Sequence, residues 1–331
     1  MFSSNKIGEK IKFSIFGGSH QKYIGGKVSN FPSGVVFDEE FLTEEIKKRK
    51  PNYKGATPRK EEDEIIFLPK INNGDTIPQR IKFRIENKNV NTSSYQEAMG
   101  YFRPSHADYV YYKKYNTWDL KLRDNASGRI TLPMVVAGGL CKMFLRKYNI
   151  IIEARVEQTG KEEILKNNDT VGGKIECVTK HIPIGLGEPI FYKVQSMLAF
   201  AMMSIPSAIS FEMGKGEKRI FNAGSEDLDE WAEDNGKESP YFRTETNISG
   251  GVNAGISNGN DLVFHVGFHP VHTLEKPMRM IDTNGEIIEK PFGGRHDKAH
   301  IFRLPVVVES LAAITLTDLI LINETHTTTY L

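Results

Sequence analysis

Residues 305–322 read PVVVESLAAITLTDLILI, an apolar run with almost no polar face at helical spacing. A helix of this kind belongs in the middle of a protein, not on its surface. Upstream, ITLPMVVAGGLCKMFLRKY, residues 130–148, reads as a second buried helix, with Pro133 near its start where a missing N–H is harmless. FYKVQSMLAFAMM, residues 191–203, is a third. FDEEFLTEEIKKRKP, residues 37–51, begins with acids, ends with bases and is stopped by Pro51, the charge order that suits a helix macrodipole. The other apolar runs are short and punctuated by Gly, Pro and Asn, as strands are. IKFSIF, KVSNFPSGVVF, IIFLPKI, IKFRIE, IIIEARV, GKIECV, SAISFEM, DLVFHVGFHP and MRMID complete an α+β inventory. The segment GGSHQKYIGG, residues 17–26, reads as a loop between the first two strands.

The chain has 331 residues, 39% hydrophobic and 26% charged, with a net charge of +1. Such a chain builds an extensive core and carries no broad field to attract a polyanion, so nucleic acid is not an expected partner. No stretch reads as the ~18 apolar residues that span a bilayer, and the N-terminus lacks a secretory signal. A cytoplasmic setting is the expectation. Cys141 and Cys177 are too few for a disulfide framework and read as packing residues. No linker or short repeat appears, so the expectation is one domain over 1–331, with the polar segment 222–247 read either as a mobile insertion or as a plain exposed one.

Four segments gather titratable or anion-binding side chains on glycine-rich backbone. Phe16-Gly17-Gly18-Ser19-His20 sets a histidine where glycines allow close ligand approach. Arg103-Pro104-Ser105-His106-Ala107-Asp108 puts a base, an imidazole and a carboxylate within six residues, a set that exchanges protons near neutrality or else merely caps a turn. Arg123-Asp124-Asn125-Ala126-Ser127-Gly128-Arg129 leads into the second helix, where backbone N–H groups and an Arg fork suit phosphate. Gly293-Gly294-Arg295-His296-Asp297 combines an anion clamp with a proton acceptor. His265, His269 and His272 invite a metal reading. On a strand, however, 265 and 269 share a face while 272 points elsewhere, and no carboxylate completes a site, so no metal is expected.

These four segments, in this order and at these separations, resemble the signature regions of chorismate synthases. Thr57-Pro58-Arg59-Lys60-Glu61-Glu62-Asp63, Gly185-Leu186-Gly187-Glu188-Pro189 and Gly255-Ile256-Ser257-Asn258-Gly259 add to the likeness. The resemblance implies an α+β sandwich with helices between antiparallel β-sheets, assembled as a homotetramer. It implies a lyase of the shikimate pathway that removes phosphate and a C6 proton from 5-enolpyruvylshikimate-3-phosphate, using reduced FMN, with NADPH as a candidate reductant. It also implies residue roles. His20, His106 and Asp297 would be catalytic, and Arg49, Arg59, Arg103, Arg129 and Arg295 would bind substrate. Asn125, Ala126, Ser127, Ala254, His269, Pro270, Val271, His272, Thr273 and Arg295 would face the flavin.

The chain departs from the family pattern at several of these positions. Gly18 and Gln21 flank the first Ser-His where the family has Glu and Gly, and Ala254 stands for a glycine. His269-Pro270-Val271 replaces Lys-Pro-Thr, exchanging a permanent cation for an imidazole and losing a hydroxyl. The expectation is weakened FMN affinity, and the alternative reading is an impaired or repurposed member that keeps the anion pocket and binds FMN poorly.

Overall fold

A computed structural model describes residues 5–50, 63–88, 100–116, 126–232, 242–274, 276–291 and 297–329. Arg59, Asn125 and Arg295 lie outside these residues. The first sheet is antiparallel, in the order β1 (Lys6–Ile7), β2 (Lys12–Gly17), β3 (Tyr23–Ser29), β5 (Arg80–Glu86), β4 (Ile65–Leu68). A second antiparallel sheet runs β7 (Ile151–Thr159), β8 (Gly173–Lys180), β12 (Leu262–Phe268), β9 (Ala208–Met213). A small third sheet joins β6 (Tyr101–Phe102), β13 (Pro277–Asp282) and β14 (Ile287–Pro291). A two-residue turn closes the hairpin β10 (Val252–Asn253) to β11 (Ile256–Ser257).

The first two sheets sandwich helices. Between them lie α3 (Thr131–Leu145) and α6 (Pro305–Thr329), with α1 (Glu39–Lys48) packed on α3 and α5 (Val194–Met202) on α6, while α2 (Ala107–Tyr115) contacts β6 of the third sheet and α4 (Glu162–Lys166) is short and has no buried residue. Helix α3 packs on β3 of the first sheet, α6 packs on β7 and β8 of the second, and the two helices pack on each other. Every α3 residue except Lys142 is buried, which is why its sequence shows no polar face. Asp38 caps α1 by accepting from the Phe41 N–H at 2.9 Å.

Two expectations need correction. Residues 23–26 are not loop: Gly25 pairs with Phe16 and Arg84, and Gly26 with Ile15 and Phe83. A Cβ on Gly26 would lie 2.5 Å from the Phe83 ring and 2.8 Å from the Phe13 ring, so the glycines make room for aromatics packed over the strand. Only residues 18–22 form the turn. Second, segments 128–148 and 305–325 are long and apolar enough to cross a membrane, but 89% and 83% of their most apolar windows are buried within the protein.

The α3–α6 crossing is close because Gly138 has no side chain. A Cβ there would lie 2.3 Å from Ser310 Cβ and 2.4 Å from Ser310 Cα. Gly138→Ala is expected to destabilise by about 1–3 kcal/mol, the cost of overpacking a filled core. A urea midpoint unchanged from wild type would show that the helices separate freely. At the C-terminal end of the pair, Asp318 accepts from the backbone N–H groups of Glu9, Lys10 and Ile11 at 2.7–3.0 Å, tying the first sheet's edge to α6. Burial pushes this carboxyl above its ordinary range against those three donors. Cys141 and Cys177 are buried and unbridged, and burial pushes the Cys141 thiol up to about 12.

Candidate active site

The turn carrying His20 is shaped by Gly17 at φ +75°, where a Cβ would meet the Tyr23 carbonyl oxygen at 2.1 Å. Ser19 is buried, and its hydroxyl lies 2.8 Å from His20 Nδ1. Asn87, the residue after β5, donates to the carbonyls of Gly18 at 2.9 Å and Gln21 at 2.7 Å. Its Oδ1 accepts from Arg129 Nε at 3.2 Å. Arg129 also pairs with Asp63 at 2.7 Å, both side chains only 7% exposed.

Arg129 sits in the 3-10 turn Gly128–Ile130 that leads into α3, with Ser127 Oγ accepting from its backbone N–H. Arg49, at the end of α1, donates to Thr131 Oγ1 and to the Gly128 carbonyl, both at 2.8 Å. Thus Arg49, Ser127 and Arg129 meet at the N-terminal end of α3, which adds its own positive dipole, and Asn87 ties the turn carrying His20 to them. Ala126 lies beside them, exposed. Asn87 and Asp63 complete this group. Asn87 carries no motif signal in the sequence, because its significance lies in the two segments it joins, the His20 turn and the turn carrying Arg129.

A second group forms around Arg103. This buried guanidinium grips Asp108 through Nε at 2.7 Å and Nη2 at 3.0 Å, and reaches Thr273 Oγ1 at 3.4 Å. His106 occupies the position before α2 without capping it through its side chain. Its Nδ1 lies 2.8 Å from Asp108 Oδ1 and 3.0 Å from Arg103 Nη2. A carboxylate only accepts and a guanidinium only donates, so Nδ1 serves one of them. The shorter contact and the fully buried anion favour a protonated Nδ1 donating to Asp108. Nε2 is then the nitrogen that gains or loses a proton.

His269 and His272 stack with ring centroids 4.2 Å apart and planes within 1° of parallel. This corrects the strand-face expectation, since β12 ends at Phe268 and His269 turns to His272, while His265 pairs with Glu157 at 3.0 Å. A metal lies in the plane of each imidazole that binds it, and two parallel planes share no point, so these two rings cannot chelate one ion. His269 donates from Nδ1 to its neighbour Pro270's carbonyl at 2.6 Å, and His272 from Nδ1 to the Ser105 carbonyl at 2.9 Å. Pro270 is exposed, while the carbonyl of Val271 accepts from Thr170 Oγ1. Ala254 is exposed at the tip of the β10–β11 hairpin with φ +51°, followed by Gly255 at +96°, the paired positive φ values of a hairpin turn that glycine or asparagine fills most easily.

Asp297 pairs with Arg303 at 2.6 Å, and three residues on, His300 Nε2 meets Ser207 Oγ at 2.8 Å. His300 was not singled out from the sequence. Burial pushes His300 down to about 4, with His269 and Arg303 adding to the effect and Asp297 opposing it. The folded ring therefore refuses a proton that the unfolded ring accepts at its ordinary 6.5. Stability from this group is whole above pH 6.5 and is lost as pH falls toward 4, up to about 3 kcal/mol. Denaturant midpoints taken across that window should fall in the wild type and fall less in His300→Gln; parallel curves would refute the assignment.

In the polar segment 222–247, residues 233–241 lie outside the described residues. The rest is pinned at its ends. Arg219 binds Asp227 through two bonds of 2.8 Å, and Trp231 bridges Thr244. Burial pushes Asp229 up, but hydrogen bonds from Thr246, Ser249 and Ile248 outweigh it and hold the carboxyl at about 2.

A family model described as chorismate synthase matches residues 11–168 and 162–321. A chorismate synthase from Parabacteroides distasonis is 36% identical over 358 residues, covering 97% of this chain and 99% of the relative. One from Bacteroides thetaiotaomicron is 36% identical over 357 residues, covering 97% and 99%. A solved structure titled as a chorismate synthase superposes with a TM-score of 0.74 at 22% identity, covering 96% of this chain and 93% of that one, a likeness of fold.

Proposed function

The chain belongs to the chorismate synthase family, and from that membership we propose how its own residues serve the reaction. The protein is a lyase of the shikimate pathway, and the family uses reduced FMN. Its substrate carries a phosphate and two carboxylates, so a site of low dielectric needs fixed cations. Arg129 and Arg49 at the head of α3 supply them, with Arg59 and Arg295 as further candidates outside the described residues. His20, held on the turn beside Arg129, gives its proton to the departing phosphate. His106, oriented by Asp108, holds a proton at Nε2 on the flavin side, and Arg103 fixes both. Asp297, clamped by Arg303, accepts the proton that leaves carbon.

The donors present suit a phosphate-bearing cofactor. Ser127 and Thr273 use their oxygens as acceptors from Arg129 and Arg103, which leaves each hydroxyl proton to give; the remaining contacts would come from Asn125, Ala126, Ala254, and the His269–His272 segment. Reduced FMN, when bound, supplies the electron density that loosens the C–O bond. The observation that carries this reading is the convergence of the His20 turn, Arg49 and Arg129 on one helix end.

One observation favours the second reading, a member that binds FMN poorly. His269 and His272 each spend Nδ1–H on a backbone carbonyl, so a neutral ring offers only the Nε2 lone pair to an anion. Calorimetric titration with FMN, with and without 5-enolpyruvylshikimate-3-phosphate, decides between the two. Binding that tightens with substrate, and chorismate formed anaerobically with reduced FMN, support the active synthase. No binding in either state supports the impaired one.

We further propose a single domain, since one hydrophobic core draws on both large sheets and the helices between them, and a homotetramer in the cytoplasm. Phe191 (84% exposed), Phe221 (82%) and Phe242 (81%) are large apolar side chains that association would cover. NADPH is the proposed reductant, tested by its flavin-dependent oxidation.

A further inference from the structure

We infer that Asn87 is a positioning residue of this active site, fixing the His20 turn and the Arg129 guanidinium in one relative geometry. The inference rests on the roles just given to His20 and Arg129. Asn87 is 7% exposed. Its backbone N–H donates to the Lys22 carbonyl at 3.1 Å, closing the β3–β5 pairing. Its amide then spends both N–H donors on the carbonyls either side of His20, Gly18 at 2.9 Å and Gln21 at 2.7 Å. The amide oxygen takes Arg129 Nε at 3.2 Å. The orientation of the amide is forced, because carbonyls only accept and a guanidinium only donates.

The hairpin does not depend on these bonds to form. Gly17 pairs with Ile24 in the ladder, and the turn closes itself through Gly18 N–H to Tyr23 and Gln21 N–H to Gly18. What Asn87 adds is the placement of that turn against α3. Arg129 is anchored at its far side by Asp63, so Asn87 is the link through which a displacement of the turn would reach the guanidinium. Aspartate could still accept from Arg129 but would turn a negative oxygen toward two carbonyls. Alanine would leave the half-buried Gln21 carbonyl and an arginine N–H to find other partners, and the Gly18 carbonyl with only its bond from the Gln21 N–H. Donor, donor and acceptor on one short planar group is the asparagine pattern.

The test is a double-mutant cycle with Asn87→Ala and His20→Ala, read as single-turnover rate under anaerobic, reduced-FMN conditions, with substrate affinity and melting temperature measured alongside. Asn87→Ala is expected to lower the rate about 10- to 100-fold, the scale on which a catalytic group misplaced by about 1 Å costs rate, with a smaller loss of substrate affinity through the loosened Arg129. In the His20→Ala background the same substitution should cost less, because one of the two groups it positions is gone. Equal losses in both backgrounds, or an unchanged rate in Asn87→Ala, would overturn the inference. If Asn87→Ala does not fold, Asn87→Ser, which keeps one donor and one acceptor, enters the same cycle. Failure of the underlying reading looks different, since His20→Ala alone would then retain the wild-type rate.

Discussion

Lys142→Ala should destabilise this protein by about 3–5 kcal/mol, the range seen when one partner of a buried ion pair is removed. Lys142 is the one α3 residue that is not fully buried, at 11% side-chain exposure, and its ammonium lies between Glu45 of α1 and Glu309 of α6. Those carboxylates are 2% and 9% exposed. Glu309 also accepts from the Ala154 backbone N–H at 2.9 Å, so one ammonium joins three helices and the edge of the second sheet. Burial pushes the Glu45 carboxyl up, but Lys142 and Lys48 outweigh it and hold the group below its ordinary range. In the wild type the stability this gives is present above the carboxylate's unfolded value and is lost as pH falls. Without Lys142 the two carboxylates lose their shared cation and Glu45 keeps only Lys48 against its burial, so the Glu45 carboxyl rises and the deficit should shrink on acidification. Neutralising one of them in Lys142→Ala/Glu309→Gln should recover part of the loss at neutral pH. Urea unfolding at two pH values checks all three statements, and a deficit that grows in acid would refute the assignment.

His106→Ala should lower kcat by about 10²- to 10⁴-fold, the usual contribution of a positioned acid or base, while leaving the fold intact. The His106 side chain is 31% exposed, and the Arg103–Asp108 pair beneath it survives its removal through two bonds of its own. Thermal melting within a degree or so of wild type, together with a collapsed rate, is therefore the expected pair of results. A rate that stays near wild type would mean that His106 only lines the site. Asp108 behaves differently, because it is buried and is the acceptor for both Arg103 and His106; its loss should cost stability as well as rate. Measuring the two variants together separates the proton-handling imidazole from the anion that orients it.

Much of the site was legible because its chemistry is local. Arg103, His106 and Asp108 fall within six residues, and the structure bonds all three to one another. Ser127 and Arg129 stand at the start of an apolar helix, where their polarity has a visible purpose. Asn87 and His300 were not legible, since each matters through partners far away in the chain: Gly18 and Arg129 for the first, Ser207 for the second. The histidine pairing was misjudged for a related reason. Alternation along a strand says which side chains share a face only while the strand lasts, and β12 stops at Phe268.

The sequence by itself determined the α+β class, the two central helices and the positions of most strands, because burial on all sides and half-burial leave different periodicities in the residues concerned. It also determined the family, through motifs whose order survives divergence. Only the tertiary structure decided that Gly25 and Gly26 are strand, that Gly138 marks a helix crossing, and that Lys142 is shared by two glutamates. Glycine and charge have no periodic signature of burial; what they meet depends on segments brought together by folding, and only the folded chain supplies those neighbours.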